Sequence, residues 1–239
     1  MSKPSKSSLN ETKETNMAIN LMFTASRDAL YVKVLTYGPA GAGKTSLIPT
    51  MPNPIILSAE AGLLSITDSN LPYIEIDGMD TLREAYRWLK DSDEAKAYDS
   101  VALDSISEIG EVCLAHEKAV AKDPRQAYGE MQTAMGEAIR LFRDLPMHVM
   151  FTAKLDKSQD EMGRLLYAPS MPGNKTGQAL PYFFDLVLAM RVEKDADGNI
   201  QRALMCQSDG LWQAKDRSGK LDTWEIPDLG QIIEKVAGK

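Results

Sequence analysis

Hydrophobic and polar residues fall into a repeating order from Tyr31 onward. The stretch YVKVLTY alternates and is rich in β-formers, so it predicts a strand. KTSLI then predicts the start of a helix, which Pro49 and Pro52 cut short. NPIILSAE and LPYIEID predict two further strands, followed by a helix from about Thr81 to Leu89 capped by Asp80. YDSVALDS predicts a fourth strand. Helices follow from about Ile106 to Lys122 and from about Gly129 to Phe142, and MHVMFTAK predicts a fifth strand. FFDLVLAMRVE, RALMCQS and LWQAKDR predict three more, the first two joined by a turn at DADGN. A helix from about Leu229 to Val236 comes last.

Strands alternating with helices, then an antiparallel-looking run, predict an α/β fold. Its sheet is mostly parallel and flanked by helices, with an antiparallel C-terminal extension. The first sixteen residues are nearly all Ser, Lys, Thr, Glu and Asn, with little to bury. The expected organisation is a disordered tail at 1–28 and one domain at 29–239. The stretch MAINLMF is the best candidate for a partner-binding arm within the tail.

The candidate chemistry begins where the first strand ends. YGPAGAGKTS has the spacing Gly, four residues, Gly-Lys-Thr, between a predicted strand and a predicted helix. In such a loop Gly38, Pro39, Ala40, Gly41, Ala42 and Gly43 turn backbone N–H groups toward phosphate oxygens, with Ser46 just beyond. Glycine at 41 and 43 permits conformations closed to other residues. Lys44 is expected to neutralise the β- and γ-phosphates, and the Thr45 hydroxyl to ligate Mg²⁺. ATP and Mg²⁺ are the cofactors this predicts.

A second acidic element follows in SVALDSISEI. An apolar strand ending at Asp104 places a carboxylate at the sheet edge where it can hold Mg²⁺ through water. Many motor ATPases put a catalytic Glu directly after this Asp, but here the next residue is Ser105. Glu60, at the end of PIILSAE, is the candidate base, with Glu108 in reserve. GTPases are excluded because the only Asn-Lys, at 174–175, continues Thr-Gly rather than x-Asp. A small-molecule kinase is the weaker alternative, since DKSQDEMGR offers only Arg164 where such enzymes carry an Arg-rich lid.

These motifs carry a family resemblance. ILSAEAGL resembles the strand-plus-Glu element of RecA-like recombinase cores, and ALDSI resembles the Asp-Ser end of their second acidic strand. LWQAKDRSG is similar to the Ala-Lys-x-Arg-x-Gly element of RecA-core hexameric helicases. That similarity implies that Lys215 and Arg217 reach a neighbouring subunit's γ-phosphate. The layout from about Tyr31 to Asp228 most resembles phage-encoded AAA-type P-loop proteins with a minimal RecA-like core, some of which are single-strand annealing recombinases. The resemblance implies a DNA-stimulated ATPase that binds single-stranded DNA and promotes annealing or strand exchange. It also implies a homo-oligomer, ring or filament, and a single-strand DNA-binding protein as a further partner. An ATP-switched assembly module with little turnover is the other alternative. By the same resemblance Thr152, with Lys154, is the γ-phosphate sensor at the end of HVMFTAK.

A long polar stretch beyond that strand, Leu155 to Gln178, is the candidate DNA contact, through Lys157, Arg164, Tyr167 and Lys175, with a solvated loop containing a hairpin as the alternative. AKDPRQAYGEMQ, with Lys122, Arg125 and Tyr128, is a second candidate. His116 and His148 show no partner spacing, and His148 is read as structural.

Composition changes this picture little. The net charge of −7 argues against a broad basic face on duplex DNA and leaves a local basic groove open. The two cysteines, Cys113 and Cys206, lack metal-ligand spacing and read as small buried hydrophobes. No apolar run is long enough for a membrane span. The expected location is cytoplasmic, in the host cell if the chain is phage-encoded.

Overall fold

The computed structural model describes residues 31–60 and 62–238, the side chains of 174 and 175 excepted. The expected tail at 1–28 and its MAINLMF stretch lie outside these residues. The strands are β1 (Lys33–Gly38), β2 (Pro54–Ser58), β3 (Tyr73–Glu75), β4 (Ser100–Asp104) and β5 (His148–Gln159). They continue as β6 (Leu165–Pro169), β7 (Leu186–Lys194), β8 (Ile200–Met205), β9 (Lys215–Asp216) and β10 (Trp224–Glu225). The helices are α1 (Met79–Asp91), α2 (Ile106–Val120), α3 (Pro124–Arg143), α4 (Asn174–Ala179) and α5 (Leu229–Ala237).

The sheet runs β10-β8-β7-β1-β5-β4-β2-β3, with β6 paired to β5 and β9 to β7. From β7 to β3 every pairing along this path is parallel, whereas β8, β9, β10 and β6 pair antiparallel. This is the expected α/β core with a mostly parallel sheet and antiparallel C-terminal strands.

The central strands are apolar on both faces, as a sheet covered twice requires. Leu35, Leu57, Leu103 and Phe151 face the side packed by α1, α2 and α3. Val34, Ile56, Ala102 and Met150 face the side packed by Leu47, Ile48 and the α5 residues Ile232 and Ile233. Cys113 and Cys206 are both buried, as expected of small hydrophobes. Burial pushes their thiols up to about 11 and about 12. His148 accepts from the Val32 backbone at 3.1 Å, a structural role.

Several local expectations are corrected. The segment after the P-loop is a 3-10 helix, Thr45–Thr50, with Pro49 inside it, rather than an α-helix. Helix α1 starts two residues before Thr81 with Gly78 at its N-cap, and Asp80 lies inside its first turn, paired with Arg83. Helix α3 starts at Pro124, five residues before Gly129. Asp123 caps it by accepting from the Arg125 amide at 2.8 Å, and proline suits a first helical position.

The stretch expected to be a long loop, or one containing a hairpin, is largely built. Strand β5 continues to Gln159, β6 returns antiparallel along it from Leu165, and α4 follows. Of the expected strand at LWQAKDR only Lys215–Asp216 joins the sheet. Leu211 and Gln213 are bonded instead to the backbone of Tyr167 on β6.

Helix α5 seats against the 3-10 helix after the P-loop. The Leu229 amide donates to Thr50 Oγ1 at 2.8 Å, and a Cβ on Gly230 would stand 2.5 Å from the Thr50 carbonyl oxygen. Gly230→Ala is therefore expected to lower the melting temperature by about 3–10 °C. Overpacking a tight contact costs about 1–3 kcal/mol, and each kcal/mol shifts a domain of this size by about 2–4 °C. Calorimetry checks it, and an unchanged melting point would mean that α5 does not rest on Thr50.

Candidate nucleotide site

Parallel pairing brings the C-terminal ends of β1, β2 and β4 to one edge. The register aligns Ser58 with Asp104, Leu103 with Phe151 and Thr36 with Thr152. Residues far apart in sequence thereby meet around the glycine-rich loop.

The loop turns at Gly41, with φ +73°, and Gly43, with φ +102°, in the region that favours glycine. Beneath it lies a cavity of about 570 Å³ lined by Ala40, Gly41, Gly43, Lys44, Thr45 and Ser46, among others. That volume suits a small-molecule ligand. The Lys44 ammonium donates to the carbonyls of Gly38 and Pro39 at 3.0 and 3.1 Å, within the loop. Burial lowers its pKa, and the nearby Asp104 and Glu60 carboxylates oppose that shift.

Asp104 is buried at the end of β4 and accepts two hydroxyls. Thr45 Oγ1 donates to its Oδ2 at 2.7 Å, and Thr152 Oγ1 donates to its Oδ1. Thr152 is fully buried, so its hydroxyl orients Asp104 from within the sheet. Thr45 and Asp104 offer hard oxygen donors. No group of three or more His, Cys, Asp or Glu suited to a metal occurs among the described residues. That donor set fits Mg²⁺, which keeps waters and substrate phosphates and needs only one or two carboxylates.

Glu60 lines the same cavity. Its backbone amide and that of Ala59 donate to the Asp104 carbonyl, at 3.4 and 2.9 Å. Ser105 Oγ donates to Glu60 Oε1 and accepts the Glu108 amide at 3.3 Å, capping α2. One hydroxyl thus closes the helix N-terminus and points the carboxylate. The capping-box spacing of Ser105-Ile106-Ser107-Glu108 is the sequence signal for this role of Ser105. Lys154 stands 4.0 Å from Glu60 Oε1 and 2.5 Å from Glu108 Oε2. The hydrogen bond to Glu108 raises the Lys154 pKa and keeps it cationic beside both acids.

Arg202 on β8 also lines the cavity, and sequence reasoning did not single it out. Its Nε donates to the Ala42 carbonyl at 3.1 Å. Met190 and Pro227 join it on that flank. Nothing local in IQRALM marks it, because it reaches the loop only through the order β8-β7-β1.

Lys215 and Arg217 lie elsewhere. Strand β9 pairs with the start of β7, aligned with Leu186 and Val187, and Leu186 aligns with Val34 near the start of β1. They therefore occupy the edge opposite the P-loop of their own chain. There Lys215 donates to the Pro181 carbonyl at 2.6 Å, and Arg217 pairs with Asp185 at 3.0 Å. Burial lowers the Lys215 pKa.

Three of the candidate DNA residues, Lys157, Arg164 and Tyr167, lie on the β5–β6 hairpin, and Lys175 falls in α4. Tyr167 stacks on Trp212 with centroids 4.3 Å apart, and Lys157 lies 6.0 Å from the Tyr167 ring. Arg164 is committed to Asp160 at 2.7 Å in the hairpin turn. The Lys175 side chain lies outside the described residues. At the second candidate, Lys118 lies 5.2 Å over the Tyr128 ring. Tyr37, directly before the P-loop, has its hydroxyl 2.7 Å from the Gln213 carbonyl and 3.2 Å from that of Tyr167, so the hairpin is tied to the loop.

A family model described as an AAA domain matches residues 30–218. No curated protein matches the chain. Among solved structures, a KaiC-like protein from the hyperthermophilic archaeon Pyrococcus horikoshii OT3 is similar at 13% identity and a TM-score of 0.42, over 73% of this chain and 78% of that one. No helix among the described residues is long and apolar enough to cross a membrane.

Proposed function

The chain belongs to the AAA domain family of P-loop proteins, and we propose that it hydrolyses ATP to time a grip on single-stranded DNA, promoting annealing or strand exchange in phage recombination. The observation that carries the ATPase reading is the joining of Glu60, through Ser105, to the buried Asp104–Thr45 pair beside one P-loop cavity. A binding loop alone would need no such carboxylate.

Lys44 binds the phosphates, and the loop amides of 41–46 orient them. Thr45 and Asp104 would hold Mg²⁺, which when bound offsets phosphate charge, and Thr152 keeps Asp104 turned toward Thr45. Glu60 accepts a proton from, or orients, the attacking water, with Ser105 and Lys154 fixing its carboxylate. Lys215 and Arg217 are too far along the sheet to serve their own P-loop, so their role belongs to a neighbouring subunit's site in a ring or filament.

The DNA reading is supported by the hairpin, where Lys157 and Tyr167 combine a cation with an aromatic face, the chemistry of a single-strand platform. The test measures ATP turnover with and without single-stranded DNA, alongside light scattering with and without ATP. Stimulation by DNA and ATP-dependent assembly are expected. A monomer indifferent to DNA that phosphorylates a nucleoside would sink the proposal. ATP-driven assembly without turnover would make it a switch instead.

A further inference from the structure

We propose that Arg202 is a phosphate-binding residue supplied in cis, holding the α- and β-phosphates of the nucleotide from the β7–β8 side of the P-loop. This rests on reading the cavity as a nucleoside triphosphate site.

Three observations converge on Arg202. Its side chain packs over the loop, with Cδ and Nε each 3.5 Å from where a Cβ on Gly43 would stand. It lines the cavity alongside Lys44 and Thr45. Third, its charge is uncommitted: among the described residues no carboxylate pairs with it, although Lys154 and Arg191 nearby are each paired with a glutamate. The chain carries 34 acidic against 27 basic residues, so an arginine without an acid beside an anion site is a chemical statement. Guanidinium has five N–H donors in a planar fork. The Ala42 carbonyl takes the one on Nε and leaves the two terminal nitrogens for phosphate oxygens.

Sheet order decides which phosphates. Glu60 follows the end of β2 and Asp104 ends β4, on one side of β1, and Arg202 arrives from β8 on the other. The γ-phosphate must face the carboxylates that serve its hydrolysis. Arg202 therefore reaches the inner two phosphates, which ADP shares with ATP. This separates it from Arg217, whose proposed target is the γ-phosphate of a neighbouring subunit.

The experiment is displacement of a fluorescent ADP from the full chain by ATP, ADP and inorganic tripolyphosphate, followed by anisotropy, with melting measured in the absence of nucleotide. Arg202→Ala is expected to weaken all three competitors by about 10- to 100-fold, the size of a lost hydrogen-bonded charge. Its melting temperature should stay within about 2 °C of the original, as for an exposed residue. Arg202→Lys should recover part of the affinity through its charge, without the fork, and added salt should narrow the gap between Ala and wild type. Affinity for ATP within about twofold of wild type in Arg202→Ala would reduce Arg202 to a latch on Ala42 and overturn the proposal. Losses for ATP and ADP without one for tripolyphosphate would place it on the base or ribose, which also overturns it. Were Arg202→Ala to melt early, Arg202→Lys decides: a stable variant that binds no better overturns the proposal. A wild-type chain that binds no nucleotide would remove the underlying reading; binding that Arg202→Ala leaves intact removes only this inference.

Discussion

Glu60→Gln is expected to lower ATP turnover by about 10²- to 10⁴-fold, the usual worth of a positioned general base, while ATP affinity changes little. Glutamine keeps the shape and can still accept from Ser105, but it cannot take a proton. The carboxylate it replaces is held by Ser105 Oγ and stands 4.0 Å from Lys154, so loss of chemistry should not come with loss of structure. Single-turnover kinetics with a parallel binding titration would check it. Turnover surviving in Glu60→Gln but lost in Glu108→Gln would move the base one helical turn into α2. Equal loss of binding and turnover would make Glu60 a ligand of the nucleotide and not its base.

Arg217→Ala should cost about 10³- to 10⁵-fold in turnover, the range for an arginine that completes a phosphoryl-transfer site, with nucleotide binding nearly intact. Because Arg217 sits at the sheet edge opposite its own P-loop, paired with Asp185, the proposed trans assignment puts this effect between subunits. Mixing Arg217→Ala with Lys44→Ala chains provides the decisive measurement. Each is inactive alone, and the mixture should recover a fraction of wild-type activity by pairing an intact loop with an intact finger. A mixture that stays inactive while each variant still assembles would reject the trans assignment. A drop in melting temperature matching the lost activity would assign Arg217 to holding the start of β7 through Asp185.

What the chain shows locally, it shows clearly. The glycine spacing of the P-loop, the apolar run ending at Asp104 and the β-rich strands are properties of short windows. The same physics that forms them, backbone freedom and burial, can be read residue by residue. Expectation stayed open or failed where a distant partner decides the outcome. KSQDEMGRLLY leaves a loop and a hairpin both open, and the hairpin forms because Leu155 through Gln159 find Pro169 through Leu165 across the ladder. LWQAKDR is β-rich enough to read as a strand, yet most of it is captured by the Tyr167 backbone and the Trp212 stack.

The site divides along the same line. By itself the sequence determined that a phosphate loop, an acidic strand end and a detached glutamate exist, because each is one element long. Only the tertiary structure decided that Ser105 aims Glu60, that Thr152 serves Asp104, that Arg202 lies against Ala42 and that Arg217 faces away. Those relations depend on which strands lie side by side, and strand order is chosen by burying both faces of the whole sheet at once.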